Sequence, residues 1–218
     1  MVTQIEEAIV SGKLSAGEKL PSERDLIKIF NTSRGPIREA LKALEQKKLI
    51  EIRAGSGGGA TVCPMGTDLL RETLGLLVRH RIVPEAHMAE FREVIEGLAA
   101  SLAAERIKPE QLEVLVKMWA ELSDLISDDK LEVFWSKERQ LHRLLAKASG
   151  NLMCEWVVDT INQEISSYQS LYPVQRSRAQ EALADWSAII KALENSQCNR
   201  ALSLIKAHVV RFSLLGET

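Results

Sequence analysis

Arg34, Arg38 and Lys42 recur at four-residue steps, a spacing that stacks cations along one face of a helix. Guanidinium forks donate in pairs to guanine edges or phosphate oxygens, and a lysine adds a compact charge. Shortly after them, Ala54-Gly55-Ser56-Gly57-Gly58-Gly59 has no bulky side chain, so its backbone can approach a phosphate or a minor groove closely. The chemistry these residues can do is the binding of nucleic acid.

The stretches around them supply the elements that would hold them in place. Ile37, Ala40, Leu41 and Leu44 form an apolar stripe beside the cations, so the spacing predicts a helix over 34–47. Ser33 is its N-cap candidate, and Pro36 falls in the first turn, where a missing N–H costs nothing. Upstream, Ser22 precedes Glu23 and Asp25, and Leu26, Ile29 and Phe30 come after them at helical spacing, which predicts a capped helix over 23–30. Asn31 and Thr32 leave room only for a tight corner. Strands expected over 49–53 and 60–63 flank the glycine run, and a helix over 2–11, ended by Gly12, completes the module. The whole reads as a winged helix-turn-helix, whose second helix can lie in a major groove.

Across 218 residues, 45% are hydrophobic and 27% charged, the balance of a soluble globular protein with room for a second domain. The net charge of −2 does not by itself favour nucleic acid. Its distribution does: residues 1–63 carry ten Lys/Arg against eight Asp/Glu, and 64–218 carry eighteen against twenty-two. Cys63, Cys154 and Cys198 lie far apart with no CxxC, which argues against a disulfide framework or zinc finger and fits a reducing cytoplasm. Glu6 and Glu7 do not make a signal-peptide charge pattern, and no apolar run approaches the ~20 residues of a membrane span. The expectation is a cytoplasmic protein with no membrane partner.

Cys63-Pro64-Met65-Gly66 interrupts the winged module, and Thr67 or Asp68 can cap the next helix. The expected domains are therefore 1–63, a linker at 64–67, and an all-helical domain over 68–218. Leu69, Leu70, Leu74, Leu77 and Val78 mark a connecting helix, and helical patterns continue over 84–107, 109–126, 131–148, 152–171, 176–193 and 199–214. Breaks fall at Asp128-Asp129, Ser149-Gly150-Asn151 and Tyr172-Pro173. The fold class expected is mainly α, the second domain being an antiparallel bundle of six or seven helices. Trp119, Trp135, Trp156 and Trp186 all lie there, as core, interface or pocket-wall candidates. The apolar stretches 69–78 and 83–104 are candidates for a subunit interface.

Gly12, Leu14, Gly17, Leu20-Pro21-Ser22-Glu23-Arg24, Ser33-Arg34, Ile37-Arg38-Glu39-Ala40-Leu41, Leu44-Glu45 and the glycine run resemble the DNA-binding domain of GntR-family bacterial transcription regulators. The resemblance implies operator contacts by Arg24, Arg34 and Arg38 and by the wing glycines, with Ser33, Gly35 and Gly55 added on their positions. In the second domain, Arg92-Glu93-Val94-Ile95-Glu96 resembles the R-x-x-[IL]-E opening of the FCD effector domain of FadR-type members. Glu138-Arg139-Gln140-Leu141-His142 is similar to its D-x-x-F-H, Ala148-Ser149-Gly150-Asn151 to its A-S-G-N, and Ala201 to His208 to its A-x-x-x-[ML]-x-x-H.

That resemblance implies a pocket for a small organic acid, often over a divalent metal held by one carboxylate and three histidines. Glu138, His142 and His208 occupy three of those positions, and the remaining histidine should fall within Asp185-Trp186, where a tryptophan stands. Trp186 cannot ligate a metal, but two histidines and a carboxylate remain a workable set for zinc, manganese or nickel. The resemblance makes His142 and His208 pocket residues, with or without a metal; the alternative is a pair of partly buried histidines hydrogen-bonded to neighbours such as Glu138. Arg92 has a fork suited to an effector carboxylate; its alternative is a surface or interface ion pair with a residue such as Glu96. The function implied is a ligand-responsive repressor that reads a short inverted repeat in double-stranded DNA as a homodimer. Two other readings stand beside it: an architectural DNA binder without effector, which would need a filled bundle, and a metal-dependent enzyme acting on a small acid. Against the enzyme stand the tryptophan at 186 and the lack of a nucleophile motif.

Overall fold

Ile5 and Ile9, one turn apart, form the buried face of helix α1 (Val2–Val10). Gly12, just beyond, takes φ 76°, the left-handed conformation that ends a helix most cheaply with glycine. The computed structural model describes residues 1–55, 58–64, 66, 68–80, 82–169 and 175–213. Helix α2 (Glu23–Ile29) begins at Ser22, whose hydroxyl oxygen accepts the Asp25 backbone N–H at 3.3 Å. Thr32 N–H closes the corner onto Ile27 O at 3.1 Å, and helix α3 (Arg34–Gln46) comes next. Ser33 stands at its N-cap position, yet its side chain makes no capping bond. The reason lies three residues on: the amide such a cap often captures belongs to Pro36, which has no N–H.

Strands β1 (Ile50–Arg53) and β2 (Gly59–Val62) pair antiparallel, from Ile50 opposite Val62 to Arg53 opposite Gly59. A bridge from Lys19 to Thr61 and the bond from Leu20 N–H to Ala60 O at 2.8 Å pin this wing to the segment before α2. At Gly58 a β-carbon would come within 2.2 Å of Arg53 O, so the wing turn admits no side chain there. Ser56 and Gly57 of the glycine run lie outside the described residues. Ile37, Leu41 and Leu44 of α3 pack with Ile5, Ile9, Leu26, Ile50 and Val62 into one core.

Among the described residues seven further helices follow: α4 (Asp68–Arg79), α5 (Glu85–Arg106), α6 (Pro109–Ser127), α7 (Leu131–Ala148), α8 (Leu152–Gln169), α9 (Arg176–Glu194) and α10 (Cys198–Ser213). Their core gathers Phe134, Leu141, Leu145, Trp186, Ile189, Leu193 and Ile205. Helices α5 and α10 approach closely at Gly97, where a β-carbon would lie 3.0 Å from Lys206 Cγ. The lysine stem thus covers the glycine while its Nζ pairs with Glu93 at 2.9 Å. The bundle is interrupted where the sequence has its breaks: Asp129 takes φ 59° and Gly150 φ 65°.

The architecture is therefore mainly α, with a two-stranded wing. The chain divides into two compact units, Met1–Glu72 and Thr73–Thr218. Met65 and Thr67 of the expected linker, the Tyr172-Pro173 break and the expected helix ends at 171 and 214 lie outside the described residues.

Gly58→Ala should loosen the wing alone. Amide hydrogen exchange is expected to quicken across 50–62 and stay unchanged in α1 and α3; unchanged exchange throughout would mean that the turn tolerates the β-carbon.

Candidate functional site

In the first unit Arg24, Ser33, Arg34, Gly35, Arg38 and Gly55 are all exposed, as is Lys42. The buried stripe Ile37, Ala40, Leu41 and Leu44 turns the opposite side of α3 outward. Glu23 on α2 reaches across to this row: its two oxygens lie 3.4 Å from Arg34 Nε and 3.8 Å from Arg38 Nε. With side chains 77% and 70% exposed, the arginines gain little stability from these contacts, but the carboxylate favours one direction for both guanidinia.

In the second unit the polar residues gather in the core. Glu138 Oε1 accepts from Trp186 Nε1 at 2.9 Å and lies 2.9 Å from His142 Nε2 and 3.0 Å from His208 Nε2. The far nitrogen of each imidazole also meets a carboxylate: His142 Nδ1 meets Glu96 Oε2, and His208 Nδ1 lies 3.2 Å from Asp185 Oδ2. Two arginines close the ends, Arg92 on Glu96 at 2.7 Å and Arg211 on Asp185 at 3.2 Å. Four helices contribute: α5 (Arg92, Glu96), α7 (Glu138, His142), α9 (Asp185, Trp186) and α10 (His208, Arg211). The heptad-like steps that bury Leu141 and Leu145 on α7 also turn Glu138 and His142 inward.

This geometry sets the charge states. A neutral imidazole has one N–H and one acceptor nitrogen, so between two carboxylates His142 is held as imidazolium. Burial alone would lower its pKa; Glu96 and then Glu138 outweigh burial and raise it from 6.5 to about 9. Burial would likewise raise the Glu96 carboxyl, but Arg92 and then His142 bring it from 4.5 to about 2. Glu138, equally buried, is held well below the usual carboxylate range by His142 and His208 against its desolvation.

The same cluster fits a divalent cation as a three-ligand set. One donor atom each from Glu138, His142 and His208 lies within 4.8 Å of the others. Each imidazole has its remaining nitrogen on a carboxylate, the arrangement that orients metal-bound histidines. Trp186, at the position where the family resemblance places a further histidine, donates its N–H to Glu138 and adds no ligand to the set.

Beside the cluster is a cavity of about 10 Å³, lined by Arg92, Trp135, Glu138, Arg139, His142, Asn162, His208, Val209 and Phe212. That is room for about one water molecule. All four residues expected to meet an effector, Arg92, Glu138, His142 and His208, are brought together on it. Arg92 pairs through its Nε with Glu96, the partner named in the alternative for this residue, but the pair is buried in the bundle and not at its surface. Of the tryptophans, Trp186 is fully buried and joins the cluster, while Trp135 walls the cavity. Trp119 instead donates to Leu183 O at 2.9 Å. Sequence reasoning misses several participants, Arg211, Val209 and Phe212 of α10 among them. The sequence marks Asp185 only as the neighbour of a missing histidine, Arg139 lies between Glu138 and His142 in the motif, and Asn162 carries no signal at all.

A winged helix-turn-helix with an outward basic row, in one chain with a helical bundle built round a buried polar centre, defines a two-part DNA-binding regulator. Residues 1–59 match the gntR family of bacterial regulatory proteins and residues 87–211 match the FCD domain; the chain belongs to the GntR family and carries an FCD domain. Among curated relatives it is 29% identical to the HTH-type transcriptional repressor NanR of Klebsiella aerogenes, over 99% of this chain and 85% of the relative. It is 33% identical to NanR of an Enterobacter species, over 68% of this chain and 56% of the relative, little more than half that protein's length. Among solved structures, Streptococcus agalactiae GntR superposes with a TM-score of 0.73 at 23% identity, covering 97% of this chain and 96% of that one. E. coli McbR/YncC gives 0.51 at 17%, covering 98% and 92%. At such identities the structures share the fold alone.

For chelated protein the charge states set a stability window. His142 contributes fully below its ordinary 6.5 and loses its contribution as pH rises through about 9; Glu96 contributes fully above 4.5 and loses its contribution as pH falls through about 2. The melting temperature of the helical unit should therefore be highest between these ordinary values and fall from pH 6.5 towards 9. In His142→Gln that alkaline fall should be absent; an equal fall in both proteins would contradict the imidazolium.

Proposed function

We propose that this chain is a ligand-responsive transcription repressor that reads a short inverted-repeat operator as a homodimer. One observation carries the reading: an exposed basic helix face on a winged module stands in the same chain as a second unit whose core is polar at a cavity. Arg24, Ser33, Arg34, Gly35, Arg38 and Gly55 are assigned to the operator, the arginines to base edges and phosphates and the wing glycines to close backbone approach. The division of the chain is 1–63 for reading, 64–67 as linker and 68–218 for sensing and dimerisation. A two-fold body presents two such heads to a palindrome. The repressor names of the NanR relatives support the sign of regulation.

The effector proposed is a small carboxylate meeting Arg92, Glu138, His142 and His208. Glu138, His142 and His208 would hold a divalent cation, zinc, manganese or nickel, which when bound supplies a Lewis-acid anchor for the carboxylate. The protein's own part is to orient both imidazoles through Glu96 and Asp185 and to keep Glu138 ionised. We read the centre as binding and not catalytic, since Glu138 Oε1 is already engaged with three rings. The protein is assigned to the cytoplasm: its three cysteines are free, and among the described residues no helix is long and apolar enough to cross a membrane. A second reading, a DNA binder without effector, draws on the small cavity, which an acid must enlarge by moving wall side chains.

Arg34→Ala and Arg38→Ala should each weaken specific operator binding by ~1–3 kcal/mol, roughly five- to 150-fold, if they meet base edges. Fluorescence anisotropy on the protein's own upstream DNA at fixed salt, with tryptophan emission confirming a folded bundle, would show it. Near-wild-type affinity in both would remove α3 as the reader. In the same assay, affinity that changes with one of a panel of small acids separates repressor from effector-free binder. Loss of that response on chelation, with recovery on zinc or manganese, would place the cation at Glu138, His142 and His208.

A further inference from the structure

Asn162 of α8 is 3% exposed, and among the described residues its Nδ2 and Oδ1 are the buried side-chain atoms without a hydrogen-bond partner. A buried amide left unmet is unfavourable in both its donor and its acceptor, and native cores rarely keep one without a reason. This one lines the same cavity as Arg92, Arg139, Glu138, His142 and His208. The surrounding groups are paired to one another, through Glu96, Glu138 and Asp185. Among the buried side-chain atoms of the described residues, this amide is the group whose donor and acceptor are both unmet.

We propose that Asn162 selects the ligand of this cavity: an acid with a hydroxyl beside its carboxylate, preferred over the same acid without it. The proposal rests on the effector reading above. The guanidinium groups of Arg92 and Arg139 on the cavity wall fix where an anionic group goes, which leaves the amide to read what stands next to it. A carboxylate oxygen can accept from Nδ2 while a neighbouring hydroxyl donates to Oδ1, so a 2-hydroxy acid satisfies both atoms at once. A simple acid satisfies only the donor and leaves Oδ1 unmet, and a site built to bond a hydroxyl rejects the analogue that lacks it. At about 10 Å³ the cavity takes one water, so an acid enters only as wall side chains such as Trp135, Arg139 and Phe212 change rotamer. Trp135, Val209 and Phe212 are the apolar part of the wall that a short carbon chain would meet once it has opened.

The test uses the full chain as purified and compares glycolate with acetate and lactate with propionate. The readings are melting temperature and anisotropy on operator DNA. Wild type should respond to the hydroxy acid at a concentration about tenfold lower than to its partner, the worth of one further hydrogen bond. In Asn162→Leu that ratio should fall towards one, while the ligand-free melting temperature holds or rises because an unmet amide has been replaced by an apolar group. Asn162→Met serves if the leucine variant does not fold. Equal responses in wild type, or a ratio that survives the substitution, would overturn the proposal and leave the effector reading standing. So would a fall in ligand-free melting temperature with the ratio intact, the mark of an amide that only holds a buried water. If neither acid of either pair shifts the wild type, the effector reading fails and the proposal fails with it.

Discussion

Three rings converge on a single oxygen, Glu138 Oε1, from three different helices: His142 of α7, Trp186 of α9 and His208 of α10. Through Glu96 the far side of His142 brings in α5 as well. In a low-dielectric core each of these bonds is strong, and each partner left without one is costly. Apolar contacts alone would let one helix slide past another by a residue at modest cost. Here a slip of ~1.5 Å along the axis also turns the side chain through ~100° and breaks several charged contacts together. The register of four helices therefore depends on one carboxylate, and so does the cavity they enclose.

The same residue chemistry does different work in the two units. Glu23 between Arg34 and Arg38 is an ion pair in water, where screening makes it nearly neutral in energy and useful only for direction. Glu96 between Arg92 and His142 is buried, and there the carboxylate decides which protons the site keeps. A reader of DNA needs charges that are free to leave each other for phosphates, and a sensor needs charges that stay where they were built. Burial, more than residue type, separates the two roles.

Much of this is legible in the sequence. The winged module obeys local rules, since caps, turns and a four-residue periodicity act within a few residues; even so, the sequence suggests Ser33 as the cap of a helix whose proline removes the amide to be capped. The helix order of the bundle also emerges from periodicity and breaks, and the family motifs single out Glu138, His142, His208 and Arg92. Direction across the bundle is another matter. That Asp185 faces His208, or that Trp186 gives its N–H to Glu138, depends on how α9 is rotated against α7 and α10, and helical periodicity does not set the rotation of one helix against another. Asn162 is invisible for a further reason: an asparagine in a helix usually faces water, and only packing shows one shut in with nothing to bond.

The chain of contacts from Arg92 through Glu96, His142, Glu138, His208 and Asp185 to Arg211 has a consequence for descent with change. Each interior member has partners on both sides, so replacing one strands a charge on its neighbour, whereas replacing two adjacent members removes a charge and its counter-charge together. Single steps through this region therefore cost more than paired steps, which keep the charges balanced. Over generations these positions should drift as couples, Glu96 with Arg92 or His142, and Asp185 with His208 or Arg211, while apolar neighbours such as Leu141 and Leu145 vary one at a time.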